Sequence, residues 1–403
     1  MHLELGLQPL GVLPLPAGML LLPDTEAAAE TATLLRRGRI PVSYPPEAGY
    51  YALAARGATP EEVLVTLGSA GAESAYNRLV LTGDAVLLEE LRFSCSGDMR
   101  LLVEIQGFLR GACDLPPMEA AQSDLLKSLL ASAHAARLIE QGAHGEATSL
   151  LRRGIRVSDE LSPVLAAGLH GDLARILSVT STAMDEAIDE WRAARAALLG
   201  TDFKDALAEV TLSLAVALHG ACEGNPGRLS EAIGLYLEAA RLASSESSPG
   251  VFGGANMNLA LAYLAIPMTE ASDQLRYGVA LSCLRTAAKV FAAAGLEEDL
   301  AAARMNLASA LVYAPSGRQG DNLVEAVEIY EEVAAWRSAQ GDMLGYARAR
   351  ANQGTALAHL GIFEQGIGRL HEARAIFEEF GSFAETAGVR EMLDHIARER
   401  AGR

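Results

Sequence analysis

The stretch ARMNLASAL, Ala303 to Leu311, has a counterpart on either side: ANMNLALAY at Ala255 to Tyr263 and ARANQGTAL at Ala349 to Leu357. An asparagine keeps its place in all three, as Asn258, Asn306 and Asn352, returning after 48 and then 46 residues. Each asparagine is followed by an apolar residue, a small one and, three further on, a bulky one: Leu259, Ala260, Tyr263; Leu307, Ala308, Leu311; and, with one departure, Gln353, Gly354, Leu357. The same triplet stands earlier as Leu173, Ala174, Leu177 and Leu214, Ala215, Leu218, where Asp172 and Ser213 take the asparagine's place. Between these phrases runs a second pattern, a small residue with a bulky one four positions on and a small or slender one at seven. Its six instances are Ala147, Leu151, Gly154; Ala187, Trp191, Ala194; Ala232, Tyr236, Ala239; Ala280, Leu284, Ala287; Ala326, Tyr330, Val333; and Gly366, Leu370, Ala373.

Offsets of four and seven lie on one helical face. The leading small residues are 40, 45, 48, 46 and 40 positions apart, so the chain alternates first and second helices of a repeated pair. Small residues let the two helices of a pair approach closely, and bulky ones fill the space to the next pair. One pair cannot bury such a face alone, whereas six stacked pairs can.

Composition agrees. Half of the 403 residues are apolar but only 5% are aromatic, a mixture of alanine and leucine that favours helices over sheets. The formal charge of −18 is spread without a long block of one sign, which excludes nucleic acid as an expected partner because phosphate binding needs a cationic stripe. The four cysteines, Cys95, Cys113, Cys222 and Cys283, form no C-x-x-C pair and fit reduced thiols in a cytoplasm. The apolar start MHLELGLQPLGVLPLPAGMLLLP carries Glu4 and is interrupted by Pro9, Pro14, Pro16 and Pro23. It is expected to be neither signal peptide nor membrane span, but an extended segment packed on its own protein or on a partner. Ten of the 15 prolines fall within residues 1–117, which sets this region apart as a mainly helical N-terminal docking domain.

The triplets resemble the tetratricopeptide repeat, in which a small residue in each of two antiparallel helices marks their close crossing. The resemblance covers 118–382 as six helix pairs, and ETAGVREMLDHIARERA looks like a capping helix within 383–403. The period exceeds the usual ~34 residues. It is similar to the longer arrays of kinesin light chains and bacterial signalling proteins, where a phrase like GDNLVEAVEIYEEV, Gly320 to Val333, follows the inter-helix loop. The resemblance implies an all-α fold, a right-handed superhelical solenoid of antiparallel pairs whose concave face binds a protein or peptide. Bacterial arrays of this kind often precede a caspase-like protease domain, but no catalytic His and Cys segment of that kind is present, so that activity is not carried over.

Reactive constellations are few. The chain has no H-E-x-x-H, no G-x-x-x-x-G-K, no G-x-S-x-G and no complete dinucleotide fingerprint. GVFGGAN, Gly250 to Asn256, is glycine-rich but follows no strand, and is expected to be a turn between repeats rather than a phosphate loop. His144 beside Glu146 and His371 beside Glu372 are surface pairs with weak metal-binding character. In RFSCSGDMR, Arg92 to Arg100, a nearby guanidinium could lower the Cys95 thiol's pKa, yet no histidine lies between His2 and His134 to act as a base. No catalytic residue, cofactor or metal is therefore expected.

The asparagines precede the core-facing residues by one, about 100° around the helix, toward the surface lined by successive first helices. The candidate partner-binding residues are Asn258, Asn306, Ser309, Tyr313, Arg348, Asn352, Thr355 and His359. An amide offers donors and an acceptor to an extended peptide backbone; equally, it could bond a neighbouring first helix and set the stacking angle. Carboxylate clamps known in some tetratricopeptide co-chaperones need lysines, and Lys127, Lys204 and Lys289 lie outside the last first helices. The expected function is a non-catalytic cytoplasmic scaffold or assembly factor for a protein or peptide partner. Its rivals are a ligand- or peptide-responsive sensor and an enzyme seated in residues 1–117. The array ends and the apolar N-terminal segment also offer surfaces for a homo-oligomer.

Overall fold

The computed structural model describes residues 1, 5–69, 71–179, 183–267 and 273–401; Glu4 and His2, named above, lie outside them. The described residues form α-helices and short 3-10 turns joined by loops, with no strand among them. The N-terminal helices are α1 (Glu26–Arg36), α2 (Gly49–Ala55), α3 (Pro60–Thr66), α4 (Ala72–Thr82), α5 (Ala85–Ser94) and α6 (Gly97–Phe108). Next come α7 (Asp124–Glu140) paired with α8 (His144–Ser158) and α9 (Pro163–Val179) paired with α10 (Met184–Leu198), followed along the chain by α11 (Lys204–Gly220) and α12 (Pro226–Leu242). Then come α13 (Pro249–Ala265) with α14 (Asp273–Ala294), α15 (Glu297–Tyr313) with α16 (Gln319–Ala339), α17 (Met343–His359) with α18 (Phe363–Glu379), and a last helix α19 (Phe383–Ala401). Chain contacts divide the protein into two compact units, Met1–Ala217 and Leu218–Arg403.

In the first unit the apolar start packs on its own protein. Leu10, Leu20, Leu21 and Leu22 are fully buried. An extended segment has unpaired backbone groups, and two side-chain amides satisfy them. Asn77 accepts from the Leu21 N–H at 2.7 Å and donates to its carbonyl at 2.8 Å. Gln8 does the same for Leu22, at 2.9 and 3.1 Å. The core of α4 to α6 continues into α7 and α9, where Leu91, Met99 and Leu102 share one cluster with Leu125, Leu126, Leu130 and Leu165. Asp98 joins the two regions by accepting from the N–H groups of Gln122 and Ser123 at 2.7 and 2.8 Å, just ahead of α7.

The repeat triplets are the packing core. All 18 second-helix positions are buried, and of the first-helix positions only Tyr263 is half-exposed. Burying one leucine contributes about 1.5–3 kcal/mol, while ordering each residue's backbone costs about 1–2 kcal/mol. A pair therefore depends on its neighbours. Consecutive helices pack on one another from α7 to α10 in the first unit and from α12 to α19 in the second, where the first helices also touch across pairs, α13 on α15, α15 on α17 and α17 on α19.

GVFGGAN departs from expectation. It is not a turn but the opening of α13, which Pro249 starts from the first turn. Its glycine serves close approach, because a Cβ on Gly253 would lie 2.4 Å from the Phe291 ring of α14.

Candidate functional site

Within the second unit, α15, α17 and α19 enclose a cleft of about 470 Å³ whose floor reaches α18. Five of the eight candidate residues line it: Asn306 and Ser309 from α15, and Arg348, Asn352 and Thr355 from α17. The apolar lining is Met305, Ala351, Leu370, Phe377, Val389 and Met392. Helical geometry explains the grouping, since residues one before a core-facing pair turn toward the next first helix rather than toward the pair's own partner.

The three asparagines behave differently. The Asn258 amide donates to the Gly254 carbonyl of its own helix at 2.9 Å and does not line the cleft. Asn352 reaches only the Met305 sulfur, at 4.0 Å. Asn306 has no hydrogen-bond partner among the described residues, although it is half-buried and lines both the cleft and an adjoining hollow of about 430 Å³. No asparagine of the row thus bonds a nitrogen or oxygen of a neighbouring first helix. Asp172, at the same register in the first unit, does: it accepts from Ser132 of α7 at 3.0 Å.

Ser309 donates or accepts with the Tyr330 hydroxyl at 2.9 Å, tying α15 to α16. Burial pushes the Tyr330 phenol up to about 12, against the pull of that bond. Thr355 donates its hydroxyl to the Ala351 carbonyl at 3.1 Å, so that hydroxyl proton is already engaged within α17. Arg348 stands at the rim and donates to Glu385 of α19 at 3.0 Å, which holds that carboxyl below its usual range. Tyr313 and His359 lie outside the cleft, at the C-terminal ends of α15 and α17, where their rings meet edge to face at 6.1 Å.

Behind α17 lies a cluster that sequence reasoning missed. Arg350 is buried, donates to Glu331 of α16 at 2.5 Å and to Gln353 at 2.9 Å, and stacks on Tyr346. Gln353 donates to Glu331 at 2.8 Å and to the Val327 carbonyl at 3.2 Å. These bonds hold the Glu331 carboxyl below its usual range. Burial alone would lower the Arg350 pKa, and the Glu331 and Tyr346 contacts together outweigh it to leave a net rise. The signal was present in the sequence: glutamine stood where the other first helices carry leucine.

The remaining suspects are structural. Cys95 is buried and its thiol is pushed up by that burial, the opposite of an activated nucleophile. Arg92 and Arg100 are engaged by Glu89 and Glu104 of their own helices. Among the described residues no group of three or more His, Cys, Asp or Glu is placed to hold a metal ion, and no helix is long and apolar enough to cross a membrane.

No protein-family model matches the sequence, and no curated protein does. Solved structures are similar in fold. The signal-transduction ATPase with numerous domains from Pyrococcus horikoshii, which carries a tetratricopeptide repeat sensor, matches with a TM-score of 0.57 at 14% identity, over 87% of this chain and 51% of its own. The fold is tetratricopeptide-like. This chain spans about half the length of that protein. BtubC (BKLC) from P. vanneervenii matches the tetratricopeptide-like chain with a TM-score of 0.47 at 16% identity, over 61% of this chain and 92% of its own. Aspartyl phosphate phosphatase F from Bacillus subtilis gives 0.48 at 13%, over 87% and 93%.

Proposed function

We propose that the protein is a non-catalytic interaction scaffold that binds an extended segment of a partner along the first-helix, concave face of its second unit. The observation that carries this reading is the Asn306 amide, unpartnered in a cleft whose floor is apolar. The amide is half-buried and opens into the cleft, so its donors and acceptor are available to an extended backbone, which supplies one donor and one acceptor per residue. The protein contains this device already: Asn77 and Gln8 pair with the backbone of Leu21 and Leu22 in the first unit. An apolar side chain of the guest would enter among Met305, Leu370, Phe377 and Met392, and the acidic balance of the chain favours a neutral or basic partner.

Affinity purification from the native cell identifies the partner, and titration of that partner against the Asn306→Ala, Asn352→Ala double variant tests the face. A loss of about tenfold or more is expected; unchanged affinity in a normally folded variant would reject the reading. A sensor is the second reading, because α19 forms one wall of the cleft through Glu385, Gly388, Val389 and Met392. Occupancy would then alter how the last helix packs, measurable as a change in amide exchange across 383–401.

A further inference from the structure

Methionine stands directly before the asparagine in two of the three recurring phrases, as Met257-Asn258 and Met305-Asn306, whereas Ala351 precedes Asn352. Met305 of α15 is partly exposed and lines both the cleft and the adjoining hollow. One side of it packs against the cluster of Ala301, Val333, Ala334 and Ala349. Its sulfur lies 4.0 Å from Nδ2 of Asn352 on α17.

A thioether is a weak acceptor, so this contact leaves the Asn352 amide poorly paired. Among the described residues that amide has no other hydrogen-bond partner. Oxidation of the sulfur would change both facts. It turns a flexible apolar side chain into a polar one. A sulfoxide oxygen directed at α17 would close the gap to the amide to an ordinary N–H···O length of about 2.7–3.2 Å. Met392 of α19 lines the same cleft and is also partly exposed, but no donor meets its sulfur among the described residues. The two methionines thus share access and differ in what would receive the product.

We propose that Met305 is an oxidation site, at which a hydroperoxide forms a sulfoxide that the Asn352 amide holds across the cleft, withdrawing that amide from any guest. The sulfur lone pair takes one oxygen of hydrogen peroxide as the O–O bond breaks. The proton on that oxygen passes to the departing hydroxide, so the sulfur is oxidised by two electrons and the peroxide is reduced to water. Methionine sulfoxide reductases reverse the change. The site itself rests on Met305 and Asn352 alone; its consequence for a partner rests on the reading of the cleft given above.

The test uses the full chain with 15N-labelled asparagine, treated with dilute hydrogen peroxide and followed by NMR and by mass spectrometry of the fragment that contains Met305. As Met305 gains one oxygen, the Asn352 side-chain amide protons should move downfield, and methionine sulfoxide reductases should return them. The shift should vanish in Met305→Leu and persist in Met392→Leu. Oxidised Asn352→Ala should lose more thermal stability than the oxidised wild type, because its sulfoxide has no donor. An unmoved Asn352 amide after full oxidation of Met305, a shift that survives in Met305→Leu, or equal losses of stability in the two oxidised proteins would overturn the proposal. So would a Met305 left intact when Met392 has been oxidised. None of these readouts needs a partner. Once the peroxide is removed, the purified partner should bind the oxidised wild type about three- to tenfold more weakly, as the loss of one hydrogen bond implies, with no such change in Met305→Leu. If the amide moves as expected while affinity stays the same, the reading of the cleft falls and the oxidation site stands.

Discussion

Gly354 of α17 and Gly366 of α18 face each other backbone to backbone: a Cβ on Gly366 would lie 2.8 Å from the Gly354 carbonyl oxygen, and one on Gly354 would lie 2.9 Å from the Gly366 carbonyl oxygen. No rotamer change relieves a clash with a carbonyl, so the helices would have to part. Gly366→Ala is expected to destabilise the second unit by about 1–3 kcal/mol, outweighing the roughly 1 kcal/mol that alanine gains over glycine in a helix. Gly368, two residues on, is exposed with nothing within 4 Å of its absent Cβ. Gly368→Ala should therefore stabilise by about 0.5–1 kcal/mol. Denaturant melts of both variants check the opposite signs.

The Arg350 cluster predicts an asymmetric cost. Removing one member of a buried pair strands the other, typically at about 3–5 kcal/mol. Glu331 is half-exposed, and Glu372 remains 3.8 Å from Arg350. Glu331→Ala should accordingly cost less, about 1–3 kcal/mol, with the loss shrinking in Glu331→Gln, which keeps an acceptor. Chemical denaturation of the two variants distinguishes them.

His170 predicts a pH dependence. Its Nδ1 lies 2.6 Å from Glu190 and its Nε2 3.6 Å from Asp159, so α9 is held to α10 and to the end of α8. Burial alone would lower its pKa, but the Glu190 bond and the two carboxylate charges together leave it raised. A raised folded value means that stabilisation is fully present below the unfolded value of about 6.5 and is lost as pH rises through the folded one. Unfolding midpoints of the wild type should fall over that window, and His170→Gln should flatten the curve.

Asn306 carries no internal bond, so Asn306→Ala should change stability by no more than about 0.5 kcal/mol. A structural residue would not behave so. Thermal melts beside the binding titration separate the two roles.

Much of the packing was legible from spacing. Ala326, Tyr330 and Val333 could be assigned to a core because offsets of four and seven leave a helix no other common face, and all three are buried. Glycine was harder to interpret. Gly253 stood in what looked like a breaker cluster, yet it exists to admit the Phe291 ring, a contact 38 residues away that no local pattern encodes. The candidate row divided for a similar reason. Asn306 and Asn352 share a cleft, whereas Asn258 bonds within its own helix and Tyr313 and His359 pair at the helix ends.

By itself the sequence determined the alternation of first and second helices in the repeats and the residues that pack them together, because helical period and residue size act over a few turns. Only the tertiary structure decided that α19 walls the Asn306 cleft, that Gln353 and Arg350 form a buried polar cluster, and that the Met305 sulfur meets the Asn352 amide. Those features depend on which distant side chains meet, and meeting is set by the packing of whole helices rather than by the pattern along any one of them.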